Sequence, residues 1–175
     1  MRPTEIIEQM KEELVELAKI DFGYPLGENV VHAADRPDGL PPVFSSIDGS
    51  RWLASLYCAC DGLSFPDIHN GYFLKPLWRV ISFDRSSEPD IVVLDREIRV
   101  LPFGSMGDGS LFVVQCEQGG VMLLPPGSLN DGRYDGRGTK VSEVATTVPH
   151  FLELLLADLT AFVNDDNQHT YLGER

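Results

Sequence analysis

The segment GSMGDG, from Gly104 to Gly109, has the composition of a loop that could take part in chemistry. Glycine-rich loops hold phosphate groups, but a P-loop requires a lysine after its last glycine, and none follows Gly109. A dinucleotide-binding loop requires a third glycine where Phe112 stands, and a nucleophile elbow requires a glycine in place of Phe103. The segment therefore predicts a tight turn between two β-strands.

The residues that commonly bind metals do not form a recognisable ligand pattern. The four histidines are scattered, with no i, i+4 pair, at His32, His69, His150 and His169. Asp131 and Asp135 lie in NDGRYDGRG, which lacks the alternating ligands and the terminal glutamate of a calcium loop. We therefore predict no metal and no cofactor, and we expect residues 128–140 to form a mobile surface loop.

Two aspartates, Asp61 and Asp108, each lie beside a glycine. A pair of carboxylates can perform acid–base chemistry if the fold brings both into one cleft, which would make the chain a hydrolase or a ligand-binding enzyme. The ordinary role of aspartate beside glycine is to form a turn. We favour the turn for both, predict no catalytic residue, and keep the enzyme as an alternative.

The charge of the chain limits its partners. It has 27 acidic and 14 basic residues among 175, a formal net charge of −13, and no cluster of lysine or arginine. This charge opposes binding to a nucleic-acid backbone, whereas it favours encounter with a basic protein. Hydrophobic residues make up 43% of the chain, enough for a full core without disulfides or metal.

The three cysteines, Cys58, Cys60 and Cys116, have no disulfide-framework spacing. We interpret all three as reduced, core-type residues, which is typical of a cytoplasmic protein. The sequence has no apolar signal-peptide region and no run of membrane-spanning length, so we expect neither secretion nor membrane insertion.

The predicted elements surround a three-strand meander within Arg96–Gly127, divided by GSMGDG and EQGG. Further strands are expected at 29–33, 72–74, 91–94 and 140–145, and residues 77–83 fit either a helical turn or a strand. Apolar spacing predicts helices over 4–20, over 48–61 with a cap at Asp48 or Ser50 and a stop at Gly62, and from Thr147 to Val163. Residues 165–175 are expected to be a frayed tail. Trp52 is predicted to be a core residue and Trp78 a surface residue.

The order of these pieces resembles the SUKH superfamily, which includes Smi/Knr-type cell-wall assembly regulators and bacterial immunity proteins. A helix leads into LYCACDGLSF, with Tyr57, Asp61 and Gly62 at the family's "nG" position. The family's glycine turn between strands matches Gly107, Asp108 and Gly109. Its terminal-helix pattern is similar to Val148, Phe151, Leu152 and Leu155. The resemblance spans residues 47–163 of what we expect to be one domain over 1–175.

The resemblance implies an α+β fold, with helices packed on a mostly antiparallel sheet of about five to six strands and a long C-terminal helix. It also implies a non-enzymatic, protein-binding role. The leading hypothesis is an immunity protein that neutralises a polymorphic toxin, often a nuclease, by direct binding to a basic domain. The alternative is a regulatory or scaffold module of the same fold. The residues predicted to contact the partner are Asp61, Tyr72, Trp78, Asp108, Tyr134 and Asp135.

Overall fold

The structure is a computed structural model that describes residues 1–174. Its helices are α1 (Pro3–Leu17), α2 (Pro42–Ser45), α3 (Ser50–Ala59), α4 (Leu77–Ile81) and α5 (Val148–Val163), followed by a 3₁₀ turn at Leu172–Glu174. The strands are β1 (Val30–Ala33), β2 (Cys60–Phe65), β3 (Tyr72–Leu74), β4 (Ile91–Val93), β5 (Glu97–Met106), β6 (Leu111–Gln115), β7 (Val121–Leu124), β8 (Leu129–Asn130), β9 (Arg133–Asp135) and β10 (Ser142–Ala145).

The predicted α+β class, the mostly antiparallel sheet and the C-terminal helix are confirmed. The sheet has ten strands, so the expectation of five to six strands was wrong. Strand β5 lies at the centre of the sheet. It pairs with β3 and β4 along one edge and with β6 along the other. On its far side β6 pairs with β7, and β7 pairs with β10. All pairs are antiparallel except β4 with β9. Three of the strands, β2, β8 and β9, were not predicted individually, because they lie in or beside glycine-containing segments that carry little periodic signal.

Helices α1, α3 and α5 cover one face of the sheet and enclose the larger core. Because successive residues of a strand point to opposite faces, Phe112 and Val114 of β6 join this core while Val113 joins a second one. The ring of Phe151 on α5 packs edge-on against Phe112 at 4.8 Å between centroids. The glycine-punctuated meander is therefore a scaffold for the helices.

The opposite face of the meander is covered by β4, β8 and β9. Val113, Met122 and Tyr134 belong to this second apolar cluster, and all four residues of β7 are buried. The segment 128–140 was expected to be a mobile loop, but it forms the β8–β9 hairpin. The sequence pattern missed it because only one large apolar side chain, Tyr134, anchors the hairpin strand β9.

The chain around Asp61 also differs from expectation. The predicted helix over 48–61 is shorter: Gly49, with φ of +81°, precedes its first residue without a side-chain cap. Strand β2 begins at Cys60, so Asp61 and Gly62 lie in a strand and not at a helix end. Gly62 has a φ of +86° and lies against the backbone of β3. It is required for this close approach between strands.

Residues 165–174 were expected to be a frayed tail, but they pack back onto α5. Leu172 is fully buried, and its backbone N–H donates a hydrogen bond to Oδ2 of Asp158 at 3.0 Å. The side chain of His169 contacts Oδ1 of the same carboxylate at 2.7 Å. A buried carboxylate on α5 therefore fixes the end of the chain.

The cysteines differ in accessibility, which corrects the expectation that all three are core residues. Cys58 is exposed, whereas Cys60 and Cys116 are buried. Burial raises the pKa of Cys60 to about 11 and that of Cys116 to about 12. Because the thiolate is the reactive form, we expect a thiol reagent at neutral pH to modify Cys58 alone in the native protein and all three thiols after denaturation. Mass spectrometry of the labelled peptides measures this, and rapid native labelling of Cys60 would contradict it.

Candidate functional site

The structure brings two of the six predicted contact residues, Asp61 and Trp78, to one surface groove of about 520 Å³. We call this surface the Trp78 groove. One wall is the segment 35–42, which enters α2, and the other is α4. The residues that line it are Asp35, Arg36, Pro37, Asp38, Gly39, Leu40, Pro41, Pro42, Asp61, Leu77, Trp78 and Ile81.

Helix α4 positions Trp78 at the rim of the groove. Leu77 and Val80 of this short helix are buried in the core, which directs Trp78 outward. Trp78 is 59% exposed, and the guanidinium of Arg79 lies over its ring, 4.7 Å from the ring centroid. The prediction that Trp78 is a surface residue is confirmed, and it has the largest side chain among the exposed hydrophobic residues of the described chain.

Asp61 holds the two walls of the groove together. Its Oδ1 accepts a hydrogen bond from the backbone N–H of Leu77 at 2.8 Å, which satisfies a donor at the start of α4. The same oxygen pairs with the guanidinium of Arg36, which also donates to the carbonyl oxygen of Tyr57 at 2.6 Å. Both charged side chains are largely shielded, with 31% of Asp61 and 17% of Arg36 exposed. Asp61 therefore fixes α4 relative to Arg36, and its side chain remains partly exposed in the groove.

The groove is negatively charged. Three carboxylates, of Asp35, Asp38 and Asp61, line it with a single guanidinium, that of Arg36. Since Arg36 is paired with Asp61, the charges of Asp35 and Asp38 are not offset within the lining. The proline-rich wall has restricted backbone dihedrals, so little conformational entropy is lost when it contacts a partner.

The other predicted contact residues lie away from this groove. Tyr72 and Tyr134 are interior residues: the hydroxyl of Tyr72 donates to Asp158 at 2.6 Å, and that of Tyr134 donates to the carbonyl oxygen of Pro125 at 2.6 Å. Their burial removes both rings from the predicted contact surface. Each ring fills part of a core, Tyr72 in the larger one and Tyr134 in the second.

Asp108 and Asp135 stabilise local turns. Oδ1 of Asp108 accepts from the backbone N–H of Ser110 at 2.8 Å, which closes the GSMGDG turn as predicted. Asp135 pairs with Arg137 at 2.9 Å. Hydrogen bonds from the side chain and backbone of Arg137 lower the pKa of Asp135 to about 2. Neither carboxylate is part of the Trp78 groove.

The enzyme alternative required Asp61 and Asp108 in one cleft. Asp61 precedes Leu63, which pairs with Leu74, whereas Asp108 follows Met106, which pairs with Tyr72. The two carboxylates therefore lie beyond opposite ends of β3. Asp61 lines the Trp78 groove and Asp108 does not.

Sequence analysis missed Asp158, which is fully buried on α5 among Leu155 and Leu159. A charged residue within an apolar helical stripe is the signal that could have identified it, because a buried carboxylate requires several donors. It also missed Arg36, Asp35 and Asp38, which lie in a proline-rich segment without periodicity.

Within residues 1–174, no group of three or more histidine, cysteine, aspartate or glutamate side chains is arranged to hold a metal ion. Over the same residues, none of the helices has the length and apolar character needed to cross a membrane. Comparisons with protein-family models, with curated proteins and with solved structures find no match for this chain.

Proposed function

We propose that this chain is a protein-binding module that holds a basic partner in the Trp78 groove. The observation that carries the proposal is Trp78 itself, a large aromatic residue that is 59% exposed at the rim of a concave, negatively charged surface. Tryptophan is enriched among the residues that dominate binding energies, particularly where a pocket beside it can be desolvated. The Trp78 ring beside the carboxylates of the groove is complementary to a partner surface on which an apolar side chain is flanked by lysine or arginine.

Charge supports the same kind of partner. The net charge of −13 attracts a basic protein over several ångströms and raises the association rate, while Asp35 and Asp38 act at short range. The rigidity of the site also contributes, because Asp61 fixes α4 relative to the segment 35–42 before any partner arrives.

The partner that fits this chemistry best is a basic toxin domain, and the chain would act as its immunity protein in the cytoplasm. The resemblance to the SUKH superfamily supports this proposal, since the motif around Asp61 and Gly62 supplies the carboxylate that holds the two walls of the groove together. Occupation of an acidic groove by a basic toxin would block the toxin surface that binds its own anionic substrate.

Substitution of Trp78 tests the proposed function. We expect a gene beside this one to encode the toxin domain, which serves as the probe, and its affinity is measured by isothermal titration calorimetry. Trp78→Ala is expected to weaken binding by about 2 kcal/mol or more, roughly thirtyfold, because a central anchor is lost. Binding should also weaken as ionic strength rises.

Tyr24→Ala is the matched control, because Tyr24 is 58% exposed and lies outside the groove. It should bind the toxin domain like the unchanged protein. Equal affinities for the Trp78→Ala variant and the unchanged protein would overturn the assignment of the groove. Failure of the toxin domain to bind at all would overturn the immunity role.

A further inference from the structure

A second concave surface lies at the opposite end of the β2–β3 hairpin, where the chain end packs against α5. It encloses about 600 Å³, which is within the usual range for small-molecule sites. We call it the C-terminal cleft. Its aromatic side is formed by Phe22, Phe162 and Tyr171, and its acidic side by Asp165, Asp166 and Glu174.

The aromatic side of the cleft is built from stacked rings. Phe22 and Phe162 stack with 5.6 Å between centroids and 22° between planes. His69 lies parallel to Tyr171 at 4.5 Å, and His169 meets the same tyrosine edge-on at 4.9 Å. Adjoining aromatic faces present the negative side of their quadrupoles to a bound cation.

Two residues of the cleft, His69 and Asp165, have a left-handed backbone conformation that is unfavourable for residues other than glycine. His69 has a φ of +51° and Asp165 a φ of +53°, two of the three non-glycine residues with positive φ in residues 1–174. Such conformations cost about 1–3 kcal/mol each and persist where packing fixes them. Both residues line the C-terminal cleft.

The cleft floor is preorganised by a buried carboxylate. Asp158 is fully buried and contacts Nε2 of His169 at 2.7 Å, which fixes the imidazole beside Tyr171. Burial raises the pKa of Tyr171, and the negative charges of Asp158, Asp166, Glu174 and Asp165 raise it further. Four carboxylates thus act on one aromatic ring at the centre of the site.

The described residues that line the cleft include three carboxylates and neither lysine nor arginine. Aromatic faces beside carboxylates form the environment that binds ammonium and guanidinium groups, through cation–π attraction and charge-assisted hydrogen bonds. The three carboxylates would repel an anionic ligand, and they offer a neutral apolar one no charge-assisted interaction.

We propose that the C-terminal cleft binds a small organic cation, of the alkyl-guanidinium or alkyl-ammonium class, between its aromatic side and its acidic side. Tyr171 and Phe162 would contact the cationic group through their faces. Asp165, Asp166 and Glu174 would accept its hydrogen bonds. This site is separate from the Trp78 groove and does not depend on the function proposed for that groove.

Titration with agmatine, an alkyl guanidinium, tests the proposal, with N-butylurea as a neutral analogue of similar shape. Nuclear magnetic resonance at a fixed pH reports on the ring protons of both histidines and of Tyr171. Agmatine is expected to shift the ring signals of His69, His169 and Tyr171 in a saturable manner, and N-butylurea is not. Equal responses to both compounds, or no saturable response to agmatine, would overturn the proposal.

Charge-matched variants separate the site from the net charge of the protein. The Asp165→Asn/Asp166→Asn variant is expected to bind agmatine about tenfold more weakly, because two charge-assisted interactions are lost. The Glu12→Gln/Glu117→Gln variant removes the same formal charge from exposed residues outside the cleft and should bind normally. Equal weakening in both variants would overturn the proposal, and thermal unfolding shows that each variant remains folded.

A blocked tripeptide, acetyl-Gly-Arg-Gly-amide, shows whether the bound guanidinium group belongs to a free small molecule or to an arginine of a partner protein. Saturable binding of agmatine with weak binding of the tripeptide supports a free small molecule as the ligand. Binding of the tripeptide at the same ring signals with no response to agmatine would overturn that source, and would assign the cleft to an arginine of a partner protein.

Discussion

Replacement of Asp158 by alanine is expected to lower the free energy of unfolding by about 3–5 kcal/mol, because it removes the buried acceptor of several donors. The carboxylate accepts from the hydroxyl of Tyr72 at 2.6 Å and from the backbone N–H of Leu172 at 3.0 Å, and it contacts His169 at 2.7 Å. These partners come from β3 and from the chain end, so one side chain connects three parts of the fold. Equilibrium denaturation in urea measures the loss.

Two further variants show whether the loss of stability comes from removing a negative charge or from removing a buried hydrogen-bond acceptor. Glu153→Ala, which removes an exposed carboxylate from the same helix, should leave the unfolding midpoint nearly unchanged. Tyr72→Phe removes one of the donors and is expected to cost about 1 kcal/mol. A loss below about 1 kcal/mol for Asp158→Ala would contradict the assigned role, since that is the value of a single ordinary hydrogen bond.

Gly62→Ala is expected to destabilise the protein by about 2–5 kcal/mol, through backbone strain and steric overlap together. Gly62 has a φ of +86°, and a Cβ at this position would lie 2.4 Å from the carbonyl oxygen of Leu74 and 2.8 Å from that of Lys75. Leu74 belongs to β3, which pairs with β2, and the carbonyl oxygen of Lys75 accepts a hydrogen bond from the hydroxyl of Tyr57 at 2.9 Å. Movement of either atom would therefore weaken existing hydrogen bonds. Thermal and urea unfolding measure the effect.

Alanine substitutions at two other glycines separate the cost of backbone strain from the cost of steric overlap. Gly23 and Gly138 have φ values of +74° and +78°, and a Cβ at either position would meet no atom within 4 Å. Alanine at these positions should cost only the backbone strain, about 1–2 kcal/mol. If Gly62→Ala proves no more destabilising than these two, the close approach between β2 and β3 is not what requires glycine.

Strong periodicity allowed the sequence to predict α1, α5 and the meander. Apolar residues recur at helical spacing in the first two, and glycine turns separate β5, β6 and β7. Trp78 was also predicted to be a surface residue, and it is 59% exposed.

The residues that complete each surface were not predictable, because long-range contacts place them. Arg36 lies in a proline-rich segment, and only the fold brings it to Asp61, 25 residues away along the chain. The chain end has the composition of a polar tail, yet Asp158 binds it through Leu172 and His169. Tyr134 is buried only because β9 pairs with β4, a parallel pairing with no local sequence signal.

The two tryptophans permit the most direct measurement of the central claim, that a basic partner binds in the Trp78 groove. The indole N–H of Trp52 donates to the carbonyl oxygen of Cys116 at 3.0 Å and provides an internal reference. When the toxin domain proposed as the partner is titrated into ¹⁵N-labelled protein, the indole signal of Trp78 should shift and that of Trp52 should stay. A complex in which the Trp78 signal does not move would contradict the claim.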